Sequence, residues 1–184
     1  MGFHKYETSL PDLLLIEPDV FSDDRGFFME LHNRHSFEKI GLDHLHFLQD
    51  NLSSSAKGTL RGLHFQGPPY EQGKLVSVLQ GSVLDVVVDI RKNSPTYGKS
   101  FAIELDSVER KMLYIPGGFA HGFQVLSDSC LFFYKCTQVY NKSSEGGLAW
   151  DDPALEIPWR DIPPILSDKD RLHPKLSDFQ TPFV

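Results

Sequence analysis

The chain alternates short apolar runs with clusters of glycine, proline, serine and aspartate. Apolar runs of roughly four to eight residues with such boundaries are typical of β-strands. The predicted strands lie at 13–21, 26–31, 46–53, 59–66, 73–81, 82–91, 99–106, 112–126 and 130–140. Strands that recur every 8–12 residues, roughly, indicate a sandwich or barrel, so the pattern predicts an all-β fold.

The remaining segments add little regular structure to this plan. One short helix is predicted at 36–41, with Ser36 as its N-cap and Gly41 at its C-terminal end. After about residue 150 prolines are frequent and periodic segments are few, which predicts a loop-rich tail. We therefore expect a single domain over 1–184, with short peripheral helices and a tail from about 151 wrapped on the barrel.

Strand alternation brings ionisable side chains onto faces that are otherwise small or apolar. Successive side chains of a strand point to opposite faces. By this rule His64, Lys74, His121 and Tyr134 each share a face with glycine or apolar neighbours. A barrel interior with a few convergent polar groups is a favourable place for a small ligand, so these four residues predict a binding pocket.

Each of these residues also has an ordinary structural interpretation. Lys74 could protect a sheet edge, and Tyr134 could be a core tyrosine with a satisfied hydroxyl. Arg61 falls on the face opposite His64 unless Gly62 marks a β-bulge, and alternation alone does not decide this point. It is the combination of four such groups that favours a functional pocket.

Composition and charge narrow the classes of function. The 184 residues are 40% hydrophobic and carry a formal net charge of −7, the sign opposite to that of most nucleic-acid-binding proteins. No apolar run approaches the 18 or so residues of a membrane span, and the N-terminus does not resemble a signal peptide. Cys130 and Cys136 lie too far apart on one predicted strand to pair. We therefore expect a cytoplasmic protein with free thiols and no membrane or nucleic-acid partner.

Two long stretches, RGLHFQGPPYEQGKLV at 61–76 and IPGGFAHGFQVL at 115–126, resemble the sugar-nucleotide 3,5-epimerases. More narrowly, the chain is similar to the dTDP-4-dehydrorhamnose 3,5-epimerases of L-rhamnose synthesis, from about residue 8 to about 172. FSDDRGFFMEL at 21–31 and LSDKD at 166–170 support the resemblance. It implies a cupin-like double-stranded β-helix, or jelly roll. It also implies epimerisation at C3 and C5 of dTDP-4-dehydro-6-deoxy-D-glucose through an enolate, with no organic cofactor and no metal.

The resemblance also implies catalytic roles. His64 would be the general base and Asp170 its carboxylate partner, with Asp168 a neighbouring rival for that role. Tyr134 would be the acid, and Lys74 would stabilise the enolate. A histidine suits proton abstraction near neutral pH because its ordinary pKa is about 6.5.

Further residues would bind substrate. They are Arg25, Glu30, Gln49, Asn51, Arg61, Lys74, His121, Glu145 and Lys169, with Tyr140 stacked on the thymine. The resemblance implies a homodimer formed by strand exchange, in which the strand carrying Arg25 and Glu30 reaches the partner's pocket. The segment 173–184 has no counterpart in the family pattern.

Three alternatives remain at this stage. A metal-dependent cupin enzyme could use His64, Glu71 and His121, although Gln66 stands where such cupins usually carry a further histidine. A sugar-nucleotide-binding barrel would keep the arginines and the aromatic residue without a base–acid pair. An epimerase that inverts only C3 or only C5 would keep the same site.

Overall fold

The computed structural model describes residues 2–184. Thirteen strands lie in this range: β1 Phe3–Glu7, β2 Leu14–Pro18, β3 Val20–Asp23, β4 Gly26–Met29, β5 Gln49–Ala56, β6 Leu60–Gln66, β7 Lys74–Gln80, β8 Ser82–Asp89, β9 Ser100–Asp106, β10 Met112–Ile115, β11 Phe119–Val125, β12 Ser129–Cys136 and β13 Glu145–Gly147. There is one α-helix, α1, at Arg34–Lys39, and 3₁₀ turns lie at Lys142–Ser144, Pro153–Leu155 and Leu176–Asp178.

The strands form two antiparallel sheets and a separate hairpin. The larger sheet has the order β1-β2-β10-β7-β12-β5, and the smaller has the order β13-β6-β11-β8-β9. Strands β3 and β4 pair only with each other. The predicted all-β jelly roll is confirmed, and the long apolar run at 112–126 divides into β10 and β11 around Pro116 and the following glycines.

The main core lies between the two sheets, as alternation predicts. Val76 and Val78 of β7, Phe132 of β12, and Val87 and Phe123 of the opposite sheet meet there, and all are at most 5% exposed. Burying an aliphatic or aromatic side chain of this size contributes about 1.5–3 kcal/mol, so this core holds the two sheets face to face.

A second core covers the outer face of the smaller sheet. Leu63 and Phe65 of β6 and Val86 of β8 point outward there, away from the main core. The segment after residue 151 covers them with side chains that include Ile157, Trp159, Leu176, Phe179 and Phe183. Both faces of the smaller sheet are therefore buried, which explains why β8 is apolar at consecutive positions on either side of Asp85.

Helix α1 begins earlier than predicted. Its N-cap is Asn33, whose side chain accepts a hydrogen bond from the backbone N–H of Ser36, so the prediction of Ser36 as N-cap is wrong. Gly41 does follow the helix in a left-handed conformation, φ +75°, which is the usual way for a helix to stop. Phe37 of α1 packs on the outer face of the larger sheet.

Two further sequence-based expectations concern cysteines and membranes. Cys130 and Cys136 are both buried on β12 and remain free thiols. Within residues 2–184, no helix combines the length and the apolar character that crossing a bilayer requires.

Candidate active site

Strand β6 carries His64 into the interior through a bulge. His121 of β11 pairs with His64, and Phe123 pairs with Arg61, so β6 has one residue more than β11 over this interval. Gly62 lies at the bulge with φ +132°, and a Cβ there would come within 2.5 Å of the Gly122 Cα. The bulge therefore turns Arg61 to the same side as His64, which settles the point that alternation left open.

Four strands contribute ionisable groups to one cavity. This cavity has a volume of about 490 Å³ and is lined by His64, Lys74, His121 and Tyr134, among others. A neighbouring cavity of about 310 Å³ shares His64, Lys74 and Tyr134 with it, so the two form one cleft. The convergence predicted from the sequence is present, and the cleft has room for a ligand larger than a single sugar ring.

His64 is held by a carboxylate from the tail. Its Nε2 lies 2.5 Å from the Oδ1 of Asp170, which is only 4% exposed. The Ser167 hydroxyl donates to the other oxygen of Asp170 at 2.8 Å. Burial disfavours the charged carboxylate, but the hydrogen bonds from His64 and Ser167 outweigh it and keep the pKa of Asp170 below its ordinary value. Asp168, the rival from the sequence, is exposed.

This pairing decides which nitrogen of His64 is available. A carboxylate that accepts the Nε2–H fixes the imidazole in one tautomer and stabilises the imidazolium. Nδ1 then carries the lone pair and can accept a proton from a ligand in the cleft. The arrangement is that of a general base with its orienting group.

Lys74 and Tyr134 approach from the larger sheet. Burial lowers the pKa of Lys74, and the opposing influence of Cys136, Asp85 and Glu145 is smaller. Because its pKa is lowered, the Lys74 ammonium can share a proton readily with a developing oxyanion. Burial also raises the pKa of Tyr134, and its phenol therefore stays protonated near neutral pH. The pair offers one cation and one neutral proton donor inside the cleft.

His121 rests on a buried aspartate that the sequence reasoning missed. Its Nε2 lies 2.9 Å from the Oδ2 of Asp85, a residue of β8 with no exposed surface. Burial lowers the pKa of His121 against the opposing influence of Asp85. The signal available in the sequence was Asp85, an acid in the middle of the apolar run SVLDVVVD, because a buried carboxylate requires a partner.

The outer part of the cleft is lined by polar residues that bond to one another. The Tyr140 hydroxyl donates to Glu145 at 2.9 Å, and Lys169 forms an ion pair with the same carboxylate. Gln49 lies on the same cavity wall, donates to Asn51 at 3.0 Å and accepts from the Tyr140 backbone N–H. The structure thus groups five of the predicted substrate contacts at the mouth of the cleft.

Arg25 and Glu30 are not part of this cleft within one chain. Arg25 lies at the β3–β4 turn with its side chain 89% exposed and contacts Asp23 at 2.5 Å. Glu30 accepts a hydrogen bond from Asn33 at 2.8 Å. Neither of these two predicted substrate contacts lines the cleft of its own chain, and the Oε2 atom of Glu30 is buried.

The ligand set of the alternative metal cupin is not assembled. Glu71 is exposed and lines neither part of the cleft, and His121 is bonded to Asp85. Gln66 bonds to backbone groups of Tyr70 and Asn141. Among residues 2–184, the one group of three potential metal ligands that lies close together is His64, Asp170 and His173, and sequence reasoning did not single out His173.

Comparisons with known proteins show which family and which solved structures this chain resembles. The family model described as dTDP-4-dehydrorhamnose 3,5-epimerase matches residues 7–178. Proteins of that name from Shigella flexneri and Methanothermobacter thermautotrophicus are 51% and 47% identical; the first match covers 89% of this chain and 91% of the relative, and the second covers 92% of each. A solved dTDP-6-deoxy-D-glucose-3,5-epimerase from Legionella pneumophila, in complex with dTDP-4-keto-L-rhamnose, superimposes with a TM-score of 0.93 at 42% identity, covering 97% of this chain and 95% of that one.

Proposed function

Since the chain belongs to the dTDP-4-dehydrorhamnose 3,5-epimerase family and is an isomerase of sugar nucleotides, we propose that its cleft inverts both C3 and C5 of dTDP-4-dehydro-6-deoxy-D-glucose. The product is dTDP-4-dehydro-L-rhamnose. Both carbons flank the C4 carbonyl, so removing a proton from either one gives an enolate. The reaction moves protons only, and the chain's own residues suffice for each step.

The positions of base and acid carry this proposal. His64 lies on β6 of the smaller sheet, and Tyr134 lies on β12 of the larger sheet, with the cleft between them. Inversion requires that a proton leave one face of a carbon and return to the other. A base and an acid on opposite walls of one cavity supply this arrangement.

In the proposed mechanism His64 Nδ1 removes the proton, and Asp170 stabilises the imidazolium that forms. The electron pair moves onto O4, where the Lys74 ammonium stabilises the oxyanion. Losing one such donor typically costs about 3–4 kcal/mol of transition-state stabilisation. Tyr134 then delivers a proton to the opposite face of the carbon, and solvent restores both groups.

Binding of the dTDP portion falls to the polar residues around the cleft. Arginine matches phosphate oxygens with two parallel hydrogen bonds, which suits Arg61 and Arg25 to the diphosphate, with Lys169 beside them. The ring of Tyr140 is 55% exposed at the mouth of the cleft and can stack on thymine.

We further propose that the protein acts as a homodimer. The β3–β4 hairpin pairs with neither sheet, yet it exposes half or more of Phe21, Phe27 and Phe28 beside Arg25. Exposed apolar clusters of this kind mark interaction surfaces. In a dimer the hairpin of one protomer would bring Arg25 and Glu30 to the cleft of the other.

Position-resolved deuterium incorporation tests the reaction. In D₂O the wild-type protein should place deuterium at C3 and C5 and form the inverted product, as read by NMR. His64→Gln should abolish exchange at both carbons, whereas His46→Gln, at an exposed histidine outside the cleft, should not change it.

Three results would contradict the proposal. Exchange at a single carbon would identify a single-carbon epimerase. Intact dTDP-sugar binding without exchange would identify a binding module. Undiminished exchange in a folded His64→Gln protein would mean that another group is the base.

A further inference from the structure

His173 is a histidine of the tail that packs beside the proposed base. Its ring lies edge-on to that of His64, with 5.5 Å between centroids and 74° between planes. Gly147 provides the space, since a Cβ at that position would lie 2.6 Å from His173 Nε2. Pro174, the residue after His173, is fixed to the barrel because its carbonyl accepts a hydrogen bond from the Ala149 N–H at 2.8 Å. The ring is therefore held in place from both sides.

The Nε2 atom of His173 has no hydrogen-bond partner within residues 2–184, although it is buried. It lies 3.9 Å from the Oδ1 of Asp170, which is too far for a hydrogen bond but within reach of an atom placed between them. Buried polar atoms are nearly always satisfied, so an orphaned ring nitrogen that faces a carboxylate calls for a ligand. The proposed epimerase chemistry makes no use of this nitrogen.

We propose that His64, Asp170 and His173 form a binding site for one zinc-class divalent ion and that the bound ion inhibits the enzyme. Their potential ligand atoms all lie within 4.8 Å of one another. Two imidazole nitrogens and one carboxylate oxygen are donors that suit Zn²⁺. The proposed metal binding is argued from geometry alone. The proposed inhibition of the enzyme also rests on the proposed function.

Small side-chain shifts would complete the site. Zinc ligands lie about 2.0–2.2 Å from the ion, so neighbouring ligand atoms should be about 3.2–3.6 Å apart. His64 and Asp170 are closer than this at 2.5 Å, and His173 and Asp170 are farther apart at 3.9 Å. Lys169, the adjacent cation, is neutralised by its ion pair with Glu145.

Inhibition follows from the tautomer of His64. An ion bound to the Nε2 lone pair displaces the proton that Nε2 donates to Asp170. Solvent carries that proton to Nδ1, so the ring stays neutral with Nδ1 protonated. That is the nitrogen that must accept the substrate proton, so the metallated histidine is no longer a base. The ion also engages the carboxylate that stabilises the imidazolium.

Metal titration of the purified protein tests the binding, and activity is measured separately. Calorimetry with Zn²⁺ and visible absorption with Co²⁺ should show one site per chain in the wild type. His173→Gln, which keeps much of the ring's volume, and His173→Ala should each weaken this binding by at least about tenfold, as loss of a ligand predicts. His46→Ala is the matched control and should bind as the wild type does.

The activity measurement uses buffered free Zn²⁺, because the substrate's diphosphate also binds metal. Zn²⁺ should inhibit the wild type reversibly, and both His173 variants should keep metal-free activity while needing at least about tenfold more Zn²⁺. Failure of either variant to weaken binding overturns the site. Equal inhibition of wild type and variants overturns the role of His173. Binding without any epimerase activity would leave the site standing and refute only the proposed function.

Discussion

At the scale of single residues, burial sets the protonation states on which the cleft depends. Burial raises the pKa of Tyr134 and lowers that of His121, so both are neutral near pH 7. Hydrogen bonds keep the pKa of Asp170 low in spite of its burial, so it remains a carboxylate. The neutral phenol of Tyr134 and the charged carboxylate of Asp170 are therefore present in the same cavity.

Removing the Tyr134 hydroxyl should separate proton abstraction from inversion. We expect Tyr134→Phe to lower product formation by about 10²–10⁴-fold, the usual contribution of a general acid. Deuterium should still enter the substrate from D₂O without inversion, because His64 is unchanged. NMR of substrate and product in one reaction measures both. Normal product formation would show that the acid is another group.

The sequence predicted the residues that line the cleft more completely than the residues that form hydrogen bonds with them. Alternation alone predicted that His64, Lys74, His121 and Tyr134 face the interior, since strand faces follow from local geometry. Identifying Asp170 as the partner of His64 required the family resemblance. The acid within the apolar run of β8 indicates a buried carboxylate, but no local pattern identifies His121 as its partner. The contact of His173 with His64 likewise arises only on folding.

At the scale of elements, the bulge of β6 places His64 and Arg61 on the same side of the strand. Gly62→Ala should destabilise the protein by about 1–3 kcal/mol through its left-handed backbone alone, with a further cost from the clash with Gly122. Gly26→Ala is a matched control, since its φ of +127° is similar and a Cβ there meets nothing within 4 Å. Denaturant unfolding measures the loss in the free energy of unfolding caused by each of the two substitutions. Equal losses would refute the close approach of β6 and β11.

The turn after β8 depends on a buried carboxylate. Asp89 has no exposed surface and accepts bonds from Arg91 at 2.8 Å, Ser94 at 2.6 Å and Thr96 at 2.7 Å. Burial opposes its ionisation, but these bonds outweigh burial and lower its pKa below 3.8. A lowered carboxyl pKa stabilises the fold above the unfolded-state pKa, and this stability is lost as pH falls through the folded-state pKa.

Asp89→Asn should therefore destabilise the protein at pH 7 by about 1–3 kcal/mol, as for other hydrogen bonds to charged groups. The difference from wild type should stay constant in the neutral range and shrink as pH falls below about 4. Urea unfolding at several pH values measures it. A difference that grows toward acid pH would contradict this assignment.

The boundaries of the strands and of α1 show which structural features the local sequence does not determine. The strands from β5 to β12 follow apolar runs that are visible in the sequence. The start of α1 was misplaced because Asn33, and not Ser36, caps the helix. Both are residue types that cap helices, so residue type alone does not choose between them. Strand β13 contains two glycines and exists only because β6 offers it a pairing edge.

At the scale of the whole molecule, the proposed dimer, in which Arg25 enters the partner's cleft, predicts complementation between inactive variants. Arg25→Ala and His64→Gln homodimers should both have low activity. Mixing and re-equilibrating them should restore about a quarter of wild-type activity, because half of the dimers are hybrids with one intact site each. Activity assays of the mixture, with sedimentation to verify the dimer, provide the measurement.

The control for complementation uses two residues of one cavity. A mixture of His64→Gln and Tyr134→Phe should recover nothing, since every site in a hybrid lacks one of the two. No recovery in the first mixture would show that Arg25 does not act across the interface. Recovery in the control mixture would show that His64 and Tyr134 of one chain do not serve the same site.

The proposed base, His64, and its carboxylate partner, Asp170, lie 106 positions apart, and Asp170 belongs to a segment that lies over the barrel. Backbone bonds such as Leu60 N–H to the Ile165 carbonyl, at 3.0 Å, attach this segment to β6. A peripheral segment can detach at a lower free-energy cost than a sheet can unfold. Detachment of this segment should therefore abolish turnover before the barrel unfolds. As urea is added, the turnover rate should fall at concentrations at which the far-ultraviolet circular dichroism of the barrel is unchanged.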